Sequence, residues 1–189
     1  MPTLYVVAGP NGCVKFTLTR TTWLSGFNII DPDAIARTAT FATPAAAARE
    51  ALQQRRASLR SSRTHLLETT LAGFGALHHM DSAREVGFRV ELYYVCVESP
   101  ELALQRIRTR VASGGHHVPE PDVRRRFQRS QASLSAAISR SDEVRLYDNA
   151  NPEHPHREIA VMTSDVRWTA EELPGWAEAA ISRNQPQHR

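Results

Sequence analysis

The sequence predicts an α/β fold in which a parallel β-sheet has helices on both of its faces. Segments with strand character alternate with segments of helical periodicity along most of the chain. The first predicted strand is a continuous apolar run, as expected of a strand that is buried on both sides. Polar residues recur where the predicted strands end, and ligands bind at that edge in sheets of this kind.

The elements follow from local patterns, taken in chain order. Strands are predicted at Thr3 to Ala8, Phe27 to Ile30, His65 to Glu68, Phe88 to Val97, Glu143 to Tyr147 and, at the sheet edge, Arg157 to Thr163. Helices are predicted at Lys15 to Leu24, residues 45–62, residues 75–86, from Ser99 to Gly114, Pro121 to Ser139, and Leu173 to Arg183. Ser99 is an N-cap candidate because Pro100 and an acidic residue follow it.

The length and composition indicate one domain. A chain of 189 residues, with 41% hydrophobic and 23% charged residues, can bury one substantial core. Because the sequence shows no internal repeat and no linker that would divide it, we assign residues 1–183 to a single domain. Residues 184–189 are predicted to form a flexible C-terminal tail.

The composition also argues against several classes of protein. The longest apolar runs have the length of strands, so no membrane association is expected. The N-terminus lacks the features of a secretory signal, and the two cysteines are too few for a disulfide framework, so a cytoplasmic location is expected. The net charge is only +3, but arginines concentrate between Arg106 and Arg129, which indicates an anionic partner. That segment has no aromatic residue beyond Phe127, so nucleic acid is not the expected partner.

The segment GPNGCVKFT, residues 9–17, follows the first strand and is close to the phosphate-binding motif G-x-x-x-x-G-K-[ST]. In this motif, glycines let backbone N–H groups approach phosphate oxygens, and the lysine reaches the outer phosphates. Lys15 is the only lysine among 23 basic residues, and it stands at the lysine position. The alternative is a glycine-rich turn that binds no ligand. The predicted nucleotide-binding residues are Gly9, Pro10, Asn11, Gly12, Cys13, Val14, Lys15, Phe16 and Thr17.

Two residues depart from the motif. Val14 stands where the motif has glycine, and its β-branched side chain occupies space needed for a close approach to phosphate. Phe16 stands where the motif has the hydroxyl that binds magnesium. Thr17 cannot replace that hydroxyl, because each residue along a helix turns the side chain by about 100°. Losing one such contact costs about 10²- to 10³-fold in rate, so impaired catalysis is expected.

Carboxylates follow two other strands. Asp31 and Asp33 close the second strand, where a carboxylate could orient and deprotonate an acceptor hydroxyl in phosphoryl transfer. The alternative is helix N-capping, which is the favoured role for Asp31. Glu68 and Thr69 end the third strand, where they could bind substrate hydroxyls or belong to a solvated loop. The histidines lack the spacing of a zinc site, and no metal-binding residue is predicted.

The second informative region is rich in arginine. A helix, the pair Gly114–Gly115 and a basic helix predict a lid over residues from about 106 to 139. Arginine forks in such a lid suit phosphate oxygens and the charge that develops in phosphoryl transfer. The alternative is a solvated charged face, and three consecutive arginines cannot all face one ligand on a helix.

Together these segments resemble the zeta-toxin family of P-loop kinases. The resemblance covers residues 3 to about 150, and the matching stretches are YVVAGPNGCVK at 5–15, IIDPDAIA at 29–36, LLETTLAG at 66–73, residues 87–130, and LYDN at 146–149. It implies a P-loop NTPase-like parallel sheet with helices on both faces and a helical, arginine-rich lid. It also implies ATP and Mg²⁺ as cofactors, and phosphorylation of a UDP-N-acetylglucosamine-like sugar by a toxin that an antitoxin protein restrains.

The resemblance further implies roles for individual residues. Lys15 would bind phosphate, and Asp33 would act as the base on the sugar hydroxyl. The substrate-binding residues would be Asp33, Glu68 and Thr69. The catalytic residues would be Lys15 and Asp33 with the lid arginines Arg110, Arg125 and Arg126.

Three functions stay open at this point. The first is a zeta-toxin-like kinase whose activity is impaired by Val14 and Phe16. The second is a catalytically inactive relative that acts by binding another protein. The third is a different P-loop small-molecule kinase, because such enzymes share one architecture.

Overall fold

The computed structural model describes residues 1–21, 23–31, 34–35, 43–115, 117–164 and 167–184. The strands in these ranges are β1 (Thr3–Ala8), β2 (Asn28–Ile30), β3 (His65–Thr69), β4 (Arg89–Cys96), β5 (Glu143–Asp148), β6 (Arg157–Met162) and β7 (Arg167–Thr169). The helices are α1 (Lys15–Thr21), α2 (Pro44–Arg60), α3 (Phe74–Glu85), α4 (Pro100–Ala112), α5 (Glu120–Ile138) and α6 (Gly175–Ser182). A 3₁₀ helix at Trp23–Gly26 follows α1, so the first helix is shorter than predicted.

The strands form one mixed sheet in the order β2-β3-β1-β4-β5-β6-β7. The pairs from β2 to β5 are parallel, which confirms the predicted α/β fold. The pairs β5–β6 and β6–β7 are antiparallel, so the sheet is not wholly parallel. The prediction that Arg157 to Thr163 forms the sheet edge was wrong, because β7 lies outside it. Strand β7 has only three residues, which is too short a segment for alternation of polar and apolar residues to indicate a strand.

Helices cover both faces of this sheet. On one face, the Tyr94 hydroxyl of β4 lies 3.0 Å from the Ser130 hydroxyl of α5. The Tyr94 ring also lies 5.5 Å from the Trp176 ring of α6, centroid to centroid. Tyr94 and Thr69 both pair with Ala8 of β1, so their side chains lie on the same face of the sheet. Glu68 directly precedes Thr69 and therefore points to the opposite face. There Glu68 accepts a hydrogen bond from Thr19, which places α1 on that second face.

Helices α4 and α5 pack together through a small cluster of their own. Leu104, Ile107 and Val123 form this cluster, apart from the main core between the sheet and its helices. Ser99 caps α4 as predicted, because its hydroxyl accepts the Leu102 N–H at 3.3 Å. None of the helices in the described ranges combines the length and apolar composition needed to cross a membrane.

A buried pair of histidines joins β3 to α3. The Nε2 atoms of His65 and His79 lie 3.0 Å apart, and His65 Nδ1 lies 2.9 Å from the Arg63 carbonyl. Because a carbonyl only accepts, His65 Nδ1 carries the proton of that ring. His65 Nε2 therefore accepts a hydrogen bond from the N–H at His79 Nε2. Burial, and then the charges of His65 and Arg55, lower the pKa of His79 to about 3. Burial is also the main reason why the pKa of His65 is lowered. The fold therefore requires both imidazoles to be neutral.

We expect acid to destabilise the fold through this pair. An unfolded histidine takes up a proton below about pH 6.5, whereas the folded state resists protonation down to about pH 3 at His79. The stabilising contribution is therefore complete above the unfolded pKa and falls as the pH decreases through this window. Urea unfolding should show a loss of about 2 kcal/mol from this source between about pH 7 and pH 4.5.

A pair of variants isolates this contribution. His79→Gln keeps a donor towards His65 but does not titrate in this window, so its free energy of unfolding should fall less steeply with acid. His78→Gln is the matched control, because His78 is the exposed neighbour on the same helix. A pH dependence in His79→Gln equal to that of the wild type would rule out the histidine pair as its source.

Candidate phosphate-binding site

The loop after β1 is pressed against two neighbouring elements. Gly9 and Gly12 have φ angles of 142° and 85°, where side chains are strongly disfavoured. A Cβ at Gly9 would clash with the carbonyl of Val95 in β4, and one at Gly12 with the carbonyl of Ala103 in α4. Gly9 and Gly12 are therefore both needed for the loop to fit between β4 and α4.

Val14 adopts a backbone conformation that favours glycine. Its φ angle is 62°, in the left-handed region, which a β-branched residue adopts only at a cost of about 1–2 kcal/mol. Glycine is the residue that the motif has at this position. The chain thus keeps a glycine-type backbone here although the glycine itself is replaced.

The turn between β5 and β6 also fastens this loop. Asn149, which is buried, donates from Nδ2 to the Cys13 carbonyl at 3.0 Å and accepts the His156 N–H at 3.0 Å. The His156 Nε2 lies 3.2 Å from the Val14 carbonyl, so that nitrogen is the donor. Asn149 N–H in turn donates to the Cys96 carbonyl at the end of β4. Two successive carbonyls of the loop are therefore bonded to the β5–β6 turn.

A cavity of about 970 Å³ opens between the loop and the α4–α5 pair, which is large for a small-molecule site. From the loop it is lined by Asn11, Gly12, Val14, Lys15 and Phe16, and from the strand ends by Asp31, Glu68, Thr69 and Thr70. From the side of α4 and α5 it is lined by Arg106, Ile107, Arg110, His117, Val118, Pro119, Asp122 and Arg126. Four of the predicted loop residues do not line it, namely Gly9, Pro10, Cys13 and Thr17.

Cationic side chains converge on the cavity from the loop and from the helices. Lys15 is only 8% exposed, and its Nζ donates to the Pro10 carbonyl at 3.3 Å. Arg126 of α5 reaches the loop, where Nη1 lies 3.5 Å from Asn11 Oδ1. Arg110 also lines the cavity. Arg125 does not line it and forms an ion pair with Asp122 at 2.7 Å. The structure thus brings together three of the four predicted cationic residues.

Arg106 lines the same cavity, and the sequence interpretation did not select it. Its Nη2 donates to the Ala150 carbonyl at 3.2 Å, while its Nη1 is buried with no acceptor among the described residues. A buried guanidinium nitrogen without an acceptor is costly, and a ligand oxygen would relieve that cost. The spacing could have indicated it, since Arg106 precedes Arg110 by one helical turn and so shares its face.

Carboxylates at the strand ends also line the cavity. Asp31 lines it, while the Asp31 carbonyl accepts the Ile35 N–H at 2.9 Å at the start of a helical turn. Glu68 Oε2 accepts from the Thr19 hydroxyl at 3.4 Å, and the Thr69 hydroxyl accepts the Leu71 N–H at 3.1 Å. Asp33, the predicted base, lies outside the described residues. Asp31, Glu68 and Thr69 are thus together at one wall.

The loop does not fit a magnesium ion of the kind that its motif binds. The Phe16 side chain, 54% exposed, lines the cavity where the motif has its metal-binding hydroxyl. Thr17 does not line the cavity, as its place on the helix predicts. Within the described ranges, no three His, Cys, Asp or Glu side chains cluster so that they could bind a metal. We therefore assign no magnesium ligand in the loop.

No protein-family model matches the chain. Over 61 residues it is 41% identical to an uncharacterized protein of Haemophilus influenzae, a match that covers 32% of this chain and 44% of that protein. The matched region thus spans less than half of the length of that relative.

Solved structures resemble the whole chain. The AvrRxo1-ORF1:-ORF2 complex with ATP matches with a TM-score of 0.68 at 20% identity, covering 99% of this chain and 64% of the other. This chain therefore spans less than two thirds of that longer one. A structure of the PezAT toxin-antitoxin system of Streptococcus pneumoniae matches with a TM-score of 0.59 at 16% identity, covering 97% and 86% of the two chains. At these identities the likeness establishes the fold, which is the one predicted from the sequence.

Val14→Gly should stabilise the protein. The substitution removes the strain of a Cβ at a φ of 62°, and the entropy of glycine in the unfolded chain offsets part of the gain. We expect the free energy of unfolding, measured by chemical denaturation, to rise by about 1 kcal/mol. Val14→Ala keeps the Cβ and should recover less than half of that gain. Unchanged or lower stability in Val14→Gly would mean that contacts of the valine side chain outweigh the strain.

Proposed function

We propose that the chain is a zeta-toxin-like, ATP-dependent small-molecule kinase whose activity is impaired by Val14 and Phe16. The reaction is transfer of the ATP γ-phosphate to a hydroxyl of a nucleotide-linked sugar of the UDP-N-acetylglucosamine type. The observation that carries the proposal is the convergence of Lys15, Arg110 and Arg126 on a cavity that carboxylates of the strand ends also line. Phosphoryl transfer needs both kinds of group, because cations bind the phosphates while a carboxylate orients the acceptor.

On the phosphate side, the proposed roles follow the positions of the cations. Lys15 binds the outer phosphates from the loop, and Arg110 and Arg126 bind oxygens of the transferred phosphoryl group from the lid helices. The contact of Arg126 with Asn11 supports this role, since it already joins lid and loop. Arg125 takes part only if it leaves its ion pair with Asp122.

On the acceptor side, Asp33 is the proposed base. It removes the proton of the acceptor hydroxyl as the oxygen attacks the phosphorus atom. Asp31, two residues earlier in the chain, lines the cavity, which supports bringing this segment to the acceptor. Glu68 and Thr69 bind hydroxyl groups of the substrate and fix its orientation.

A second candidate is an inactive relative that acts by binding a protein. Val14 and Phe16 favour it, because both are apolar, exposed and placed where a kinase loop has a glycine and a hydroxyl. Both structural neighbours come from systems of more than one protein, an ORF1:-ORF2 complex and a toxin-antitoxin system. An antitoxin-like protein is therefore the proposed macromolecular partner under either candidate.

Restoring the motif should restore the reaction. We expect Val14→Gly combined with Phe16→Ser to raise the rate of phosphate transfer by about 10²-fold or more. The measurement is ADP release with UDP-N-acetylglucosamine and with a panel of sugars and nucleosides, which covers other P-loop small-molecule kinases as well. Growth of bacteria that express either form gives a separate reading of toxicity.

Lys15→Ala in the restored background is the control, and it should remove the gained activity. Wild-type turnover equal to that of the double variant would contradict impairment by Val14 and Phe16. If the restored form binds ATP but transfers phosphate to none of the acceptors, the protein-binding candidate is favoured. If the restored form binds no ATP, the kinase proposal fails.

A further inference from the structure

The positive charge around the cavity is greater than the motif alone provides. In addition to Lys15, three arginines line it, Arg106, Arg110 and Arg126. Of these, Arg106 has a buried Nη1 that finds no hydrogen-bond acceptor among the described residues. Its Nη2 bond to the Ala150 carbonyl holds one end of the guanidinium at the β5–β6 turn.

Arg106 also lies close to the phosphate loop. The Ala150 carbonyl to which it donates directly follows Asn149, the residue that is bonded to the Cys13 carbonyl. Arg106 is therefore placed beside the loop at the β5–β6 turn.

The same loop lacks its magnesium hydroxyl. Phe16 presents an exposed ring to the cavity at that position, and an aromatic ring offers no ligand to a hydrated, oxygen-seeking ion. A polyphosphate in this cavity must then be neutralised by side chains rather than by a metal held in the loop. Guanidinium groups suit that task, because they form short, charge-assisted bonds to phosphate oxygens.

We propose that this cavity binds a nucleoside triphosphate as the metal-free anion, and that Arg106 supplies positive charge that a loop-bound magnesium ion would otherwise provide. The inference rests on the proposed nucleotide site and names the form of nucleotide that the site selects. Binding and chemistry are then separable, since the metal-free anion can be bound tightly without being activated for transfer. Arg106 acts here as a binding residue, with no part in proton transfer.

The test is calorimetric titration of the full chain with ATP, once in excess EDTA and once with saturating Mg²⁺. We expect ATP in EDTA to bind at least as tightly as the magnesium complex. Arg106→Gln should weaken binding in EDTA by about 10-fold, the usual worth of a charge-assisted bond to phosphate. Arg106→Lys keeps the charge without the fork and should lose less. Phe16→Thr, which returns a hydroxyl to the loop, should shift the preference towards the magnesium complex.

Arg108→Gln is the matched control, because Arg108 lies on the same helix with a largely exposed side chain paired to Glu120. It should bind ATP as the wild type does, and thermal unfolding checks that each variant is folded. Tighter binding of the magnesium complex by the wild type would overturn this inference while leaving the nucleotide site intact. Equal affinities of Arg106→Gln and Arg108→Gln would overturn the role of Arg106. Binding of neither form of ATP would overturn both this inference and the proposed kinase function.

Discussion

The site depends on the way in which the loop between β1 and α1 is fastened to its surroundings. Gly9 and Gly12 fit it against β4 and α4, and Asn149 and His156 bond two of its carbonyls. A short loop that is constrained at several points keeps one backbone shape even when its side chains change. This explains how Val14 is forced into a conformation that valine disfavours, since the hydrogen bonds around it leave few alternatives.

The loop therefore has the backbone shape of the phosphate-binding motif without all of the motif's side chains. The features that fix the loop and surround it with positive charge are retained, from Lys15 to the arginines of α4 and α5. The features that differ from the motif are the side chains of Val14 and Phe16, and Phe16 stands where the motif has its metal-binding hydroxyl. Preorganised cations of this kind suit the binding of anions. Catalysis requires in addition interactions that are stronger in the transition state than in the ground state.

Much of this could be read from the sequence, because the relevant signals are local. The buried first strand, the loop motif and the N-cap at Ser99 each occupy a few adjacent residues, and the structure has them where they were predicted. Features that depend on distant contacts were not accessible in this way. The bond of Asn149 to Cys13 joins residues 136 positions apart, and the pairing of His65 with His79 depends on how α3 packs on β3. The sequence does not distinguish Arg106 from the other arginines of the basic run. Its buried Nη1 and its hydrogen bond to the Ala150 carbonyl do so in the structure. Strand β7 was missed because three residues are too few to show a strand pattern.

The left-handed backbone at Val14 also bears on how the protein can evolve. A backbone that already has the shape of the glycine-containing motif needs no rearrangement to accept glycine again. A single base change converts a valine codon into a glycine codon, and a single base change converts a phenylalanine codon into a serine codon. Each departure is thus one mutational step from the motif, on a scaffold that is ready for the original residues. Under the proposed kinase function, an activity impaired at these two positions is restored by two substitutions, unlike one lost by deletion or by collapse of the loop.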